Sequence, residues 1–154
     1  MVIQIDSREK ARAIEKILGE FDKQEIKHFI SKLPVGDYQS LDNARLVIDR
    51  KQNLSELCNN VGQDCARFKR ELTMARDLGI KLIILCEHGG PIKAMADVFD
   101  WENPRRKKSP CAMNGERLYR LLRQYQYHYG VEFIFCDRRS TGKKIIEILS
   151  KGGA

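Results

Sequence analysis

Apolar positions along the chain switch repeatedly between a period of two and a period near 3.6. Val2 to Asp6 reads as a short buried strand, and Lys10 to Phe21 places Ile14, Ile17, Leu18 and Phe21 on one helical face. Two extended segments follow, Ile26 to Ser31 and Gly36 to Leu41. A third, Ala44 to Lys51, contains the β-rich core Leu46, Val47 and Ile48. Asp42 and Asn43 supply turn chemistry between the last two. Ser55 to Leu78 predicts helix broken near Gly62, and Gly79 stops it. Lys81 to Cys86 is a continuous apolar run of the kind buried on both faces of a sheet. Asn114 to Tyr129 aligns Leu118, Leu121, Leu122, Tyr125 and Tyr129 on one helix face. Val131 to Cys136 is a further strand, and Thr141 to Leu149 a final helix. Strands alternating with helices predict a layered α/β domain around a mixed sheet, with Trp101 to Asn114 as a linker-like stretch.

The 154 residues, 42% apolar and 32% charged, suit one globular domain. A chain of this length buries roughly 70% of its unfolded surface and needs no metal or disulfide to hold its core. No apolar run approaches the roughly 20 residues of a membrane span, and the N-terminus carries no basic region followed by an apolar stretch. A soluble, cytoplasmic, unsecreted protein is expected. Five cysteines, an odd number without any CxxC pair, read as structural thiols. The net charge of +7 is unevenly placed. Asn103 to Lys144 holds eleven basic and three acidic residues, whereas the rest of the chain holds seventeen and eighteen. One region is therefore suited to a polyanion and the other to cation-dependent chemistry.

The carboxylates of that second region stand at strand edges. Asp6 closes the first strand and Glu9 follows it; Asp37 comes after Gly36; Asp49 closes the run LVIDRK, with Lys51 two residues on. Residues i and i+2 of a strand share a face, so Asp49 and Lys51 point the same way, and Asp37 can meet them from the adjacent strand. Carboxylates beside a lysine suit Mg²⁺, which takes few protein ligands and keeps its remaining positions for water and phosphate. Any one of these residues alone is an ordinary turn or strand-edge residue; their ordered recurrence carries the signal.

The set IDSRE, GDY and IDRK resembles the DxRE, GDY and ERK motifs of the XPF-type nuclease domain (xeroderma pigmentosum group F family), a branch of the PD-(D/E)XK nucleases. The resemblance continues through Arg67, Phe68, Lys69, Arg70, Glu71 and Leu72 and the run LIILCE, and then more weakly toward short phage and bacterial members. It implies a restriction-endonuclease-like three-layer α/β domain, a central mixed sheet flanked by helices. It implies a Mg²⁺- or Mn²⁺-dependent DNA endonuclease acting on flap, fork or branched DNA. Carried over residue by residue, it implies metal coordination by Asp37 and Asp49 with Asp6 as a further ligand, Glu9 in support and Lys51 as the catalytic lysine. Arg8 and Arg50 take the motif arginines, with phosphate contact and support of the site both open. The family usually has Glu at the position of Asp49 and Asp at that of Ser55, where Glu56 is the neighbouring carboxylate. The chain is read as a single nuclease domain, residues 1–154, without the appended helix-hairpin-helix module of larger relatives. A homodimer is implied too, with the apolar remainder of the last two helices as its surface. Because the family includes inactive partners, a non-catalytic DNA-binding or scaffold subunit is the alternative reading.

Outside these motifs, Arg105, Arg106, Lys107 and Lys108 are expected to track a DNA backbone, with Trp101 or nearby tyrosines available to stack on an unpaired base. Arg117, Arg120 and Arg123 form a basic flank at helical spacing, and Tyr125, Tyr127 and Tyr129 are expected to divide between core and surface. The run Thr141 to Lys144 lacks the upstream glycine of a phosphate-binding loop, and His88 reads as a loop histidine.

Overall fold

The computed structural model describes residues 1–152. The extended runs become β1 (Val2–Ile5), β2 (Lys27–Ile30), β3 (Tyr38–Ser40), β4 (Asn43–Lys51), β5 (Lys81–Cys86) and β6 (Glu132–Phe135). They join in one six-stranded sheet of order β2-β1-β3-β4-β5-β6. β3 runs antiparallel to both β1 and β4, while β1/β2, β4/β5 and β5/β6 are parallel, so the sheet is mixed as expected. The helices are α1 (Glu15–Lys23), α2 (Leu54–Val61), α3 (Cys65–Asp77), α4 (Gly115–Tyr129) and α5 (Thr141–Lys151). None is long and apolar enough to cross a membrane.

The strand period sorts side chains into two cores. Val47 of β4 and Leu82, Ile84 and Cys86 of β5 pack with α2, α3 and α4. Leu46 and Ile48 of β4, with Ile83 and Leu85 of β5, pack with α1 and α5. The result is three layers, helix, sheet and helix. Each fully buried Leu or Ile contributes about 1.5–3 kcal/mol, so both faces of the central strands are firmly held. That same alternation sends Asp49 and Lys51 toward the α2/α3/α4 layer and Arg50, between them, toward α1 and α5.

Three boundaries differ from the sequence reading. Residues 6–10 form a turn, closed by the Glu9 N–H on the Asp6 carbonyl at 3.1 Å, and a short 3-10 turn precedes α1, which begins at Glu15 instead of Lys10. β3 starts only at Tyr38, because Gly36 has φ +72° and bends the chain before it. The stretch 101–114 is no free linker. Asn103, 7% exposed, donates Nδ2 to the Met113 carbonyl at 2.8 Å and pins a 3-10 turn, Pro104–Lys107, against the domain. The apolar stripe of α5 lies in the core, with Ile145, Ile146, Ile148 and Leu149 all buried. The last helix therefore offers no apolar remainder for the expected dimer surface.

Candidate active site

Gly36 sets the position of Asp37. A Cβ at this glycine would overlap the Val47 side chain and crowd the Ile48 carbonyl, so the backbone lies directly on β4. From there Asp37 joins the sheet through three bonds. Its N–H donates to the Ile48 carbonyl at 2.8 Å, its carbonyl accepts from Asp6 N–H at 2.8 Å, and its Oδ2 accepts from Arg50 N–H at 2.7 Å. Asp37 and Asp49 are thereby brought together at one end of a cleft of about 520 Å³. Lys51, Arg8, Glu9, Glu56, Arg67 and Glu71 also line it.

The carboxylates of this cleft bear on one another. Burial, and then the neighbouring Asp49, push the Asp37 carboxyl far above the usual carboxylate range. Glu71 is raised by the same two causes. Lys51 shows the complement. Burial alone would lower its pKa, but Asp49, Glu71 and Glu56 outweigh it and hold the ammonium protonated. Its Nζ lies 3.3 Å from Asp49 Oδ2 and 5.6 Å from the centroid of the Phe68 ring. Even so, Asp49 Oδ2 is sealed from solvent and receives no aligned hydrogen bond. An orphaned carboxylate oxygen beside a second carboxylate fits a hard divalent ion, and Mg²⁺ is commonly held by only one or two protein carboxylates. Among the described residues no three His, Cys, Asp or Glu side chains form a ready-made cage.

Asp6 is not placed where a third ligand was expected. Its side chain is fully buried, and both oxygens are occupied: Oδ1 by Leu33 N–H at 2.8 Å, Oδ2 by Arg8 N–H at 3.1 Å and Arg8 Nε at 2.6 Å. Burial favours the neutral acid, yet these hydrogen bonds dominate and lower its pKa. Asp6 clamps the β1 turn. Arg8, 63% exposed and at the cleft wall, gives Nε to Asp6 and Nη2 to the Leu33 carbonyl at 3.3 Å.

Arg50, for which phosphate contact and support both stood open, is turned into the protein. Its side chain is 7% exposed. Nε and Nη2 donate to Glu9 at 2.8 and 3.0 Å, and Nη1 donates to Glu87. Glu9 also accepts from the Tyr38 hydroxyl at 2.9 Å, and Glu87 from the Thr141 hydroxyl at 2.8 Å. This network ties β1, β3, β4, β5 and α5 together behind the cleft, and it leaves Arg50 no free donor pair for DNA.

Sequence reasoning did not assign roles to Glu71 or Glu87. Both lie inside quoted motif stretches, and an acidic residue buried at a strand end or on the inner side of a helix was the available signal. Ser55 lines a separate depression beside Cys58 and Arg105, whereas Glu56 reaches the cleft and accepts Gln52 N–H at 2.7 Å. His88 serves the loop: Nδ1 accepts the Leu54 N–H at 3.0 Å, capping α2, and burial lowers its pKa. Arg105, Arg106, Lys107 and Lys108 are all exposed.

Among solved structures, the chain is similar to XPF from Aeropyrum pernix, at 20% identity with a TM-score of 0.69 over 98% of this chain and 64% of that one. It is similar as well to XPF from Aeropyrum pernix in complex with DNA, at 17% identity and a TM-score of 0.65, covering 97% of this chain and 64% of that chain. No curated protein sequence matches. The ERCC4 domain family matches residues 5–149. With the match spanning nearly the whole sheet, its flanking helices and the cleft, this chain belongs to the ERCC4 domain family.

Proposed function

We propose that the protein is a divalent-metal-dependent DNA endonuclease that hydrolyses phosphodiester bonds where paired and unpaired DNA meet. The observation that carries this reading is the convergence of Asp37, Asp49 and Lys51 in one cleft, with Asp49 Oδ2 sealed from solvent and met only by the Lys51 ion pair. An inactive scaffold has no physical reason to keep two buried, mutually repelling carboxylates. Asp37 and Asp49 would hold Mg²⁺ or Mn²⁺, with Glu71 beside them. When bound, the ion supplies a Lewis acid for the phosphoryl oxygen and the attacking water.

The chain's own groups account for the rest. Lys51, kept protonated by its acidic neighbours, faces charge developing on the phosphate. Glu71, lining the cleft beside Asp49 and Lys51, is placed to take a proton from water once a cation has displaced its own. Arg8 meets a phosphate at the cleft wall. Arg50 and Glu9 act as positioning residues, since the Arg50 N–H holds Asp37 while its guanidinium is locked to Glu9. The exposed run Arg105, Arg106, Lys107 and Lys108 supplies sequence-independent backbone contact. DNA as the partner is supported by this charge and by the DNA complex of the similar XPF. A homodimer and a cytoplasmic location belong to the same reading.

The test is a panel of labelled single strand, duplex, fork, flap and four-way junction, each with Mg²⁺, with Mn²⁺ and with chelator. Metal-dependent cutting of at least one junction is expected. Tight DNA binding with no cutting of any substrate in either metal would replace this reading with the scaffold alternative.

A further inference from the structure

Helix α3 separates two different surfaces. Arg67, Glu71 and Met74, spaced along one flank, line the acidic cleft. On the opposite flank Cys65 and Lys69 line a second groove of about 670 Å³, whose other wall is α4. At 100° per residue these two sets point nearly 180° apart, with Phe68, Leu72 and Ala75 buried beneath and Arg70 exposed on the crest. The groove therefore lies about one helix diameter, roughly 10–12 Å, from the cleft.

Its lining is aromatic and cationic. Tyr125, His128 and Tyr129 line it with Lys69, exposed Tyr127 and Arg123 stand at its rim, and no carboxylate lines it. The inner rings are already packed: Phe68 meets Tyr125 edge-on, Tyr125 stacks on Tyr129, and His128 stands against Tyr129. Tyr127 is different, with 94% of its surface exposed at the rim. An aromatic ring in water gains nothing for the fold, whereas it gains stacking area against a flat ligand. Positive charge beside an open ring matches a group that is both flat and anionic, which is a nucleotide. Duplex bases have both faces covered, so only an unpaired nucleotide presents its face to such a ring. A second copy of the chain fits less well. Isologous contact through this groove would set two cationic linings face to face without an intervening acid.

We infer that the α3/α4 groove binds an unpaired nucleotide of the DNA substrate, stacked on Tyr127 and held by Lys69 and Arg123, one helix width from the cleft. The inference rests on the proposed nuclease reading and adds to it the element that selects a single-stranded arm.

The experiment is binding in chelator, so that cleavage plays no part. A labelled oligothymidylate and a fork with a thymidine arm are titrated with wild type, Tyr127→Ala, Tyr127→Trp and the double variant Lys69→Ala/Arg123→Ala. Tyr127→Ala should weaken binding of the arm about tenfold, and Tyr127→Trp should restore it. A 5-iodouracil in the arm should crosslink under ultraviolet light to the peptide that contains Tyr127. Equal oligothymidylate affinity in wild type, Tyr127→Ala and the double variant overturns the inference, as does crosslinking confined to other helices. A dimer in sedimentation that dissociates in Tyr127→Ala while arm affinity per protomer is unchanged also overturns it, assigning the groove to a second copy. Because the readout is binding without metal, it separates from the nuclease reading, which fails only if no substrate is cut when metal is present.

Discussion

Glu9 and Arg50, 41 residues apart in sequence, form a two-pronged pair at 2.8 and 3.0 Å beneath the sheet, while the Arg50 N–H holds Asp37 at 2.7 Å on its other side. One residue thus couples the interior network to the cleft. Its neighbours Asp49 and Lys51 face the opposite layer, so a single strand supplies both the reactive face and its support.

Glu9→Gln should reduce both stability and turnover. The change removes half of a pair whose side chains are 7% and 11% exposed, leaving the Arg50 charge with Glu87 alone. Breaking such a pair costs about 3 kcal/mol. Denaturant titration should report that loss. In cleavage assays kcat should fall more than KM rises, because Asp37 loses its support while the DNA-contacting surface is untouched. A variant as stable and as fast as wild type would remove Glu9 from the site.

Asp37→Asn should abolish cleavage yet stabilise the metal-free protein at alkaline pH. The wild-type carboxyl is raised by burial and by Asp49, so ionising it is unfavourable in the fold. An amide keeps the shape and the acceptor for Arg50 N–H. Each kcal/mol relieved should raise Tm by about 2–4 °C. Scanning calorimetry at pH 8.5 in chelator checks the sign; a lower Tm in the variant would contradict the electrostatic account.

The same raised acids set a pH dependence for metal binding. For Asp37 and Glu71 the folded pKa lies above the unfolded value near 4, and Glu71 rises to about 7. Their contribution to stability is full below that unfolded value and is lost as pH rises through the folded pKa. A cation must displace the held proton, so affinity should increase from pH 6 to pH 8, and the Tm gain from Ca²⁺ should grow with it. Ca²⁺ itself should support DNA binding without turnover, since it prefers looser, higher coordination. A Ca²⁺ effect on Tm that is flat across this range would show that no proton is released.

Much of the fold was legible because β4 and β5 carry continuous apolar runs of the kind buried on both faces of a sheet, and α4 and α5 keep the period of 3.6. The meeting of Asp37, Asp49 and Lys51 was legible too, since i and i+2 positions and one adjacent strand suffice to predict it. Asp6 was misread for a local reason. The turn after β1 returns the Arg8 and Leu33 N–H groups to its carboxylate, and strand-end position alone does not reveal that. Arg50 and Glu87 required the parallel pairing of β4 with β5, an order that neither segment encodes by itself. Of the last two helices, α5 has no apolar remainder for a dimer surface, because its stripe is packed against α1 and the sheet.

Replacing Arg105, Arg106, Lys107 and Lys108 together by Ala should weaken DNA binding and leave the carboxylate cleft intact. All four are exposed, and Asn103, which caps their turn, anchors the segment from its buried end. For every phosphate that these side chains neutralise in wild type, the variant's slope of log affinity against log salt should be shallower by about 0.7–0.9. An unchanged slope in the folded variant would assign the run to solvent.

The central claim is that Asp37, Asp49 and Lys51 form a metal-dependent catalytic centre for DNA. Its most direct test is single-turnover cleavage of one labelled fork in Mg²⁺ by wild type, Asp49→Asn and Lys51→Met, with fork affinity measured in Ca²⁺ for each. The account predicts cutting by wild type, a decrease of at least about 100-fold in both variants, and fork affinity within a few-fold of wild type, because Asp49 would hold the metal, Lys51 faces charge that develops only in the transition state, and the surfaces that contact DNA are unchanged. Cutting by both variants at the wild-type rate would contradict it.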